Sequence, residues 1–454
     1  MITNLQTSWR FYLIILLITG LPELSRAQDT ALQSYIKQGL ENNQGLKQQK
    51  FLLQRNMFAL KEAKTFFLPE VNFSGNYLDS RGGRKINLPI GDLLNPVYNS
   101  LNQLTNSSAF PEVKNISQTF NPNNYYDAKF RTSIPVFDAE IIYNSRIKKE
   151  EINFQQAEID VYKRELVKDI QLGYYAYLQT LESIRILENA TILAQENLRY
   201  NQTLVKNDKA IRTAVSRAEN ELIGLKAKLE DAKYQSVNAA AYFNFLLNQP
   251  FDTKIEAPQN QQVINETDTY VTGRREELTK LATLQDINSL SLQLAKSARL
   301  PKLSTFMDLG SQGDFLKFNN STRYYLFGVT LSWQVFAANR TFYKSQQAEY
   351  QIKTTVEQIN QVEQQLQLQA ETAMNKLSSA KQIYEASKSQ TVLSEQYYQD
   401  QRKLYREGQL LYLELLDAQN RLISDQLQQS ISYLNVQTRA VELERARASY
   451  PLSN

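Results

Sequence analysis

Leu404-Tyr405-Arg406-Glu407-Gly408-Gln409, continuing through Leu415-Leu416-Asp417-Ala418-Gln419-Asn420, is the stretch whose reading decides the fold. It reads as the turn and outgoing arm of a very long helical hairpin. A fainter copy lies 200 positions earlier, at Leu204-Val205-Lys206-Asn207-Asp208-Lys209 leading to Ala218, Asn220, Leu222 and Ile223. Leu204 pairs with Leu404, Ala218 with Ala418, Asn220 with Asn420 and Leu222-Ile223 with Leu422-Ile423, and the register holds without a gap. One chain therefore carries two hairpins of one design, and such a repeat governs any fold assignment.

Composition supports long helices. The 454 residues include no Cys and no His, with 14 Gly and 11 Pro. Without Cys there are no disulfides, thiolate sites or lipid-anchoring cysteine; without His the commonest general base and metal ligand is missing. The reading is therefore of a protein that is not an enzyme and needs no cofactor. A formal net charge of +4 on this length calls for no nucleic-acid partner. At the N-terminus, Arg10 precedes the apolar run Phe11–Ile18, and Ser25-Arg26-Ala27 follows as a small-x-small cleavage site. The run is about half of the ~20 residues a membrane span requires, so residues 1–27 read as a signal peptide.

Outward from the hairpins, each half repeats one plan. A helix over about 30–64 ends at Phe67-Leu68-Pro69, because the residue before proline is pushed out of the α region. The period then changes from 3.6 to 2. Val71, Phe73, Gly75 and Tyr77 alternate with Asn72, Ser74 and Asn76; Tyr126, Ala128, Phe130, Thr132 and Ile134 alternate with Asp127, Lys129, Arg131 and Ser133. Between them, about 78–124 is rich in turn signals such as Gly82-Gly83, Asn95-Pro96 and Asn121-Pro122, and reads as a long irregular loop. Val167, Ile170, Tyr174, Tyr177, Leu181 and Ile184 then form a coiled-coil seam on a helix from Ala139 to about Lys206. At ~1.5 Å per residue that helix would reach on the order of 100 Å. Its return arm carries Ala227, Ala232, Ala239, Ala240 and Ala241, small residues that permit close helix approach.

The second copy has its Leu300-Pro301 junction, strands through Leu303–Leu309 and Tyr325–Val335, and a helix with Ile352, Val356, Ile359, Val362 and Leu366 as its seam. The expected boundaries are 1–27 signal peptide, 28–250 first repeat, 251–273 linker and 274–454 second repeat. Strands are expected at about 67–77, 125–137, 301–310 and 324–336, with long hairpins at about 139–248 and 338–449.

Strands of about 10 residues, apolar on one face and ending in aromatics, suit a tilted strand crossing an outer membrane. A charged second face is expensive in a packed core unless paired, and cheap facing water in a channel. Four strands cannot close a barrel, and open edges are not tolerated in lipid, so several copies must contribute.

The Leu-Pro junctions, Ile134-Pro135-Val136-Phe137-Asp138, Leu331-Ser332-Trp333-Gln334-Val335-Phe336 and Tyr405-x-x-Gly408 running to Leu416-Asp417-Ala418-Gln419 resemble the TolC family of outer-membrane efflux proteins. The similarity covers the mature chain twice, in order. It implies a mainly α fold with a small membrane β part: a homotrimer sharing a twelve-stranded barrel in outer-membrane lipid, continued by a twelve-helix periplasmic α-barrel. It implies passive export of small molecules or proteins from a Gram-negative cell, with a periplasmic membrane-fusion adaptor and an inner-membrane pump of RND or ABC type as partners. On that resemblance Asn207, Asp208, Lys209, Glu407, Gly408 and Gln409 are adaptor-docking tips, and Glu414 and Asp417 form an acidic periplasmic gate. The first repeat departs from the pattern, with Asp208 in place of glycine and Ala214 and Arg217 at the acidic positions; Arg212 or Arg217 is then the expected partner of Glu414 or Asp417. The rival reading is a periplasmic coiled-coil adaptor or scaffold, which the two hairpins and lipid-patterned strands disfavour.

Overall fold

A computed structural model of the protein describes residues 26–121, 123–257 and 275–452. The expected signal peptide falls outside the described residues except for its last two, and so does the linker from residue 258 onward. In chain order the elements are α1 (Arg26–Asn42), α2 (Gln44–Thr65), β1 (Glu70–Leu78), β2 (Lys85–Leu88), α3 (Ile90–Thr105), β3 (Ile116–Thr119), β4 (Tyr125–Phe137), α4 (Ala139–Lys206), α5 (Arg212–Leu246), α6 (Glu276–Ser297), β5 (Lys302–Asp314), β6 (Arg323–Ser332), α7 (Arg340–Arg406) and α8 (Tyr412–Arg447). The sequence repeats are not the compact units. One unit gathers the described chain up to Met57, Glu150–Ile287 and Gln351 onward; the other gathers Phe58–Lys149 and Asn288–Tyr350. Each unit therefore draws on both repeats.

The first unit is helical. Ile36 of α1, Ile170 and Tyr174 of α4 and Phe243 of α5, with Leu247 just past its end, are fully buried in one cluster, together with Ile255 and Val441. The seam read from the sequence is only partly the buried one. Val167, Ile170 and Tyr174 are buried, but Tyr177, Leu181 and Ile184 are half-buried, and the buried ridge continues through Leu187, Ala190, Ala194, Asn197 and Asn201. On α7 the expected positions Ile352, Val356, Ile359, Val362 and Leu366 are all half-buried. The buried heptad positions there are Ala373, Leu377, Ala380, Ser387, Ser394, Tyr398 and Tyr405. The two serines of that ridge find partners nearby. Ser387 donates to the Tyr384 carbonyl at 2.8 Å, and Ser394 donates to the Asp425 carboxylate. Of the alanines picked out on α5, Ala232 is buried and Ala227 is exposed.

The second unit holds a four-stranded antiparallel sheet in the order β1-β4-β5-β6, leaving β1 and β6 as its edges. Pro135 lies in a central strand, where a missing N–H would break the ladder, and it is accommodated at a register shift between Pro135 and Phe137. Both helix-to-strand junctions are alike: Leu68 N–H donates to the Thr65 carbonyl and Leu300 N–H to the Ser297 carbonyl, each just before its proline.

The expected irregular loop is instead a small folded insertion. β2 and β3 pair antiparallel, Lys85 opposite Thr119 and Leu88 opposite Ile116, and bracket α3. Asn95-Pro96, read as a turn, lies inside that helix. Side-chain amides replace the missing strand partner for residues 110–115. Asn95 both accepts from the Val113 N–H and donates to its carbonyl, at 2.8 and 3.0 Å, and Asn102 does the same for Phe110. Asn115 closes the set against Asp92.

Candidate functional site: hairpin tips and the polar strand face

Both hairpin tips are built the same way. Gln409 N–H donates to the Leu404 carbonyl and Lys209 N–H to the Leu204 carbonyl, at 2.9 and 2.8 Å, the six-to-one bond of a Schellman cap. That cap needs a left-handed residue. Gly408 supplies it at φ 77°, and Asp208 adopts the same region at φ 56°, which aspartate reaches at modest cost. Replacing glycine thus alters the tip's charge but not its backbone design. Ile211 and Leu411 follow in extended conformation, and the return helices begin in register.

All ten residues singled out at the tips, Asn207, Asp208, Lys209, Arg212, Arg217, Glu407, Gly408, Gln409, Glu414 and Asp417, are exposed. Among the described residues no ion pair within the chain joins Arg212 or Arg217 to Glu414 or Asp417. What holds the hairpins together lies behind them. Tyr405 of α7 donates to Asn201 Oδ1 of α4 at 2.6 Å, Asn201 donates to the Asn197 carbonyl, and Asn197 donates to Gln419 Oε1 of α8 at 2.8 Å. Beside this ladder Tyr405 meets Tyr200 edge-on and Tyr412 at a tilt, each with ring centroids 5.7 Å apart. Burial, then the neighbouring Tyr200, pushes the Tyr405 phenol up to about 12, and burial raises Tyr412 as well. The i, i+4 spacing of Asn197 and Asn201 is the one trace of this ladder in the sequence.

The sheet has one apolar and one polar face, as its alternation requires. Val71, Phe73, Phe130, Leu309, Met307, Tyr325, Phe327 and Val329 share the first face in register and are exposed in the single chain. On the second face Arg131 grips Asp308 through two bonds of 2.7 and 2.6 Å. Lys129 lies 3.3 Å from Asp127 and 3.9 Å from Asp308, and Tyr324 donates to Asp127 at 2.9 Å. The charges are therefore paired across strands, and not simply solvated. Asp308 is 1% exposed, Asp127 and Lys129 beside it are half-buried, and Arg131 is exposed. Phe306 sits against Gly328, where an added Cβ would meet its ring at 2.5 Å, and carries the Arg131 guanidinium 4.8 Å above it.

A second charge network ties α4, α6 and α8 in the helical unit. Arg164 pairs with Glu276 at 2.5 Å; Arg445 bridges Glu165 and Glu277 at 3.1 and 2.7 Å; Arg275 also binds Glu277 at 3.1 Å. Burial pushes the Glu277 carboxyl up, but the hydrogen bonds from Arg275 and Arg445 outweigh it and hold the group at about 2. The sign follows from that depression: Glu277 contributes its stabilisation above the ordinary carboxyl value of 4.5 and loses it as pH falls toward about 2. Arg445→Met is expected to cost ~2 kcal/mol, less than for a fully buried pair because these groups keep some water. Thermal unfolding at pH 3 and pH 5 checks this: Glu277→Gln should flatten the acid-side loss, and an undiminished slope would contradict the assignment.

Residues 272–448 match the family model of the outer membrane efflux protein. No curated protein matches the chain. Among solved structures, the outer membrane protein VceC from Vibrio cholerae is similar at a TM-score of 0.73 and 14% identity, over 93% of this chain and 97% of that one. CusC is similar at 0.74 and 15%, over 92% of each chain. The Campylobacter jejuni outer membrane channel CmeC is similar at 0.73 and 13%, over 92% and 86%. The chain thus has the fold of TolC-type outer-membrane channels. The family match falls on its second repeat, and the shared fold extends over the first repeat as well.

Proposed function

We propose that this chain is the outer-membrane channel subunit of a tripartite efflux or type I secretion system in a Gram-negative bacterium. It passively carries small molecules or proteins outward from a periplasmic adaptor and an inner-membrane pump. The observation that carries this reading is the sheet itself: an exposed apolar face, an ion-paired polar face and two unpaired edges. Edges of that kind are not tolerated in lipid, so the sheet must close with others. Three copies give twelve strands around a water-filled interior lined by Arg131, Asp308 and Lys129, and the exposed helix faces of one copy cover those of the next. The fold shared with outer-membrane channels supports the same arrangement. Fractionation tests it: the protein should stay with the outer membrane through carbonate washing and migrate as a trimer, whereas a periplasmic scaffold would be released.

The tips at Asn207-Asp208-Lys209 and Glu407-Gly408-Gln409 are the adaptor-docking surface, free in the chain and rigidly capped. Glu414 and Asp417 ring the periplasmic mouth, and Arg212 and Arg217 of adjacent copies pair with them to hold it narrow. Asp417→Ala is expected to raise open-state conductance in planar bilayers; unchanged conductance would sink the gate assignment.

A further inference from the structure

We propose that the folded insertion of residues 79–121 is an intersubunit clasp whose apolar face docks on the β5–β6 tip of the neighbouring copy. This rests on the closed-barrel reading above. The insertion is satisfied on its inner side, where Asn95, Asn102 and Asp92 hold the strap of residues 110–115. Among the described residues nothing covers its other side. Leu93, Val97 and Leu104 of α3 are 69%, 52% and 83% exposed, and Ile86, Leu88 and Ile116 of the ribbon are exposed with them. An apolar surface of this extent on a polar insertion marks an interaction site.

The tip between β5 and β6 presents the complementary surface. Phe315, Leu316 and Phe318 are 62%, 55% and 68% exposed. Phe315 and Leu316 are both held at positive φ, 56° and 53°, a costly conformation for bulky side chains. Among the described residues Phe318 packs on Tyr126 at 4.6 Å between ring centroids, and Phe315 meets only the Lys317 ammonium, 5.8 Å from its ring centroid.

Topology brings the two surfaces together. β1 runs upward into the insertion, and β6 runs down from the tip. These are the two unpaired edges. Antiparallel closure of β6 on the next copy's β1 sets strands ~4.8 Å apart and brings Thr322, at the end of one tip, beside Asp79, where the neighbour's insertion starts. α3, at 16 residues and ~24 Å, is long enough to reach across the join. A second copy of the chain is thus the occupant, and its apolar tip loses exposure in the same contact.

The absence of Cys in the chain permits a direct test in the full-length protein in outer membranes. Leu93→Cys or Val97→Cys is combined with Leu316→Cys or Phe318→Cys and oxidised with copper phenanthroline. Phe73→Cys combined in turn with Tyr325→Cys, Phe327→Cys or Val329→Cys reports barrel closure separately. Both sets are expected to give reducible dimer and trimer bands. Links from the β1–β6 set with none from the four clasp pairs would overturn the clasp and leave the barrel standing. No links from either set would overturn both. A nitroxide at Leu93→Cys that meets membrane-dissolved oxygen but not an aqueous nickel chelate would put lipid on the stripe, which also overturns the clasp.

Discussion

Arginine at Val329 is expected to keep the chain from assembling in the outer membrane, while arginine at Thr330, one residue away, is expected to be tolerated. Val329 stands opposite Thr305 on the apolar face, and Thr330 stands opposite Ser304 on the polar face. A charge on the lipid side near the bilayer midplane costs ~2–4 kcal/mol per copy, and three copies would carry that cost together. On the water-filled side the same charge costs little. The contrast is informative because both residues are exposed in the single chain. If the sheet faced water on both sides, both substitutions would fall within ~0.5 kcal/mol of neutral. The readout is the fraction of each variant recovered as trimer from the outer membrane. Equal recovery would contradict the membrane assignment of the apolar face.

The second large effect is expected at Phe243. Its side chain is 0% exposed, edge-on to Tyr35 at 5.1 Å and near Tyr174 at 5.7 Å, within the cluster that joins α1, α4 and α5. Phe243→Ala is expected to cost ~3–5 kcal/mol, because the lost transfer energy is compounded by the cavity left behind. That is a large part of the ~5–15 kcal/mol that stabilises a typical domain. Circular dichroism during thermal unfolding should show a clearly lowered midpoint for Phe243→Ala and a smaller shift for Phe243→Leu. A midpoint within a degree of the parent chain would contradict the assigned core.

Why some features were legible and others were not follows from the physics of each. The strands could be read because period-2 alternation is a local property, and Val71–Tyr77 and Tyr126–Ile134 state it without help from distant residues. The Leu-Pro junctions at Pro69 and Pro301 are also local, since proline acts on its immediate predecessor. The α7 ridge was not legible. Ser387 and Ser394 carry no apolar signal, and small Ala373 carries little; Ala373 is buried among Val436 and Leu443, and Ser394 against Asp425, all distant in sequence. The insertion failed for the same reason: Asn95 and Asn102 resemble turn formers until the backbone of Val113 and Phe110 is set against them. At the tips, Asp208 looked like a departure because its sequence differs from Gly408, yet both adopt the left-handed cap. The Tyr405–Asn201 ladder joins residues far apart in sequence, which no local period reveals.

The central claim, that copies of this chain enclose a water-filled passage through the outer membrane, is tested most directly by planar-bilayer recording of the purified protein. The account predicts discrete conductance steps, with larger steps from Asp417→Ala. Membranes that stay silent in the presence of purified, folded trimer would contradict it.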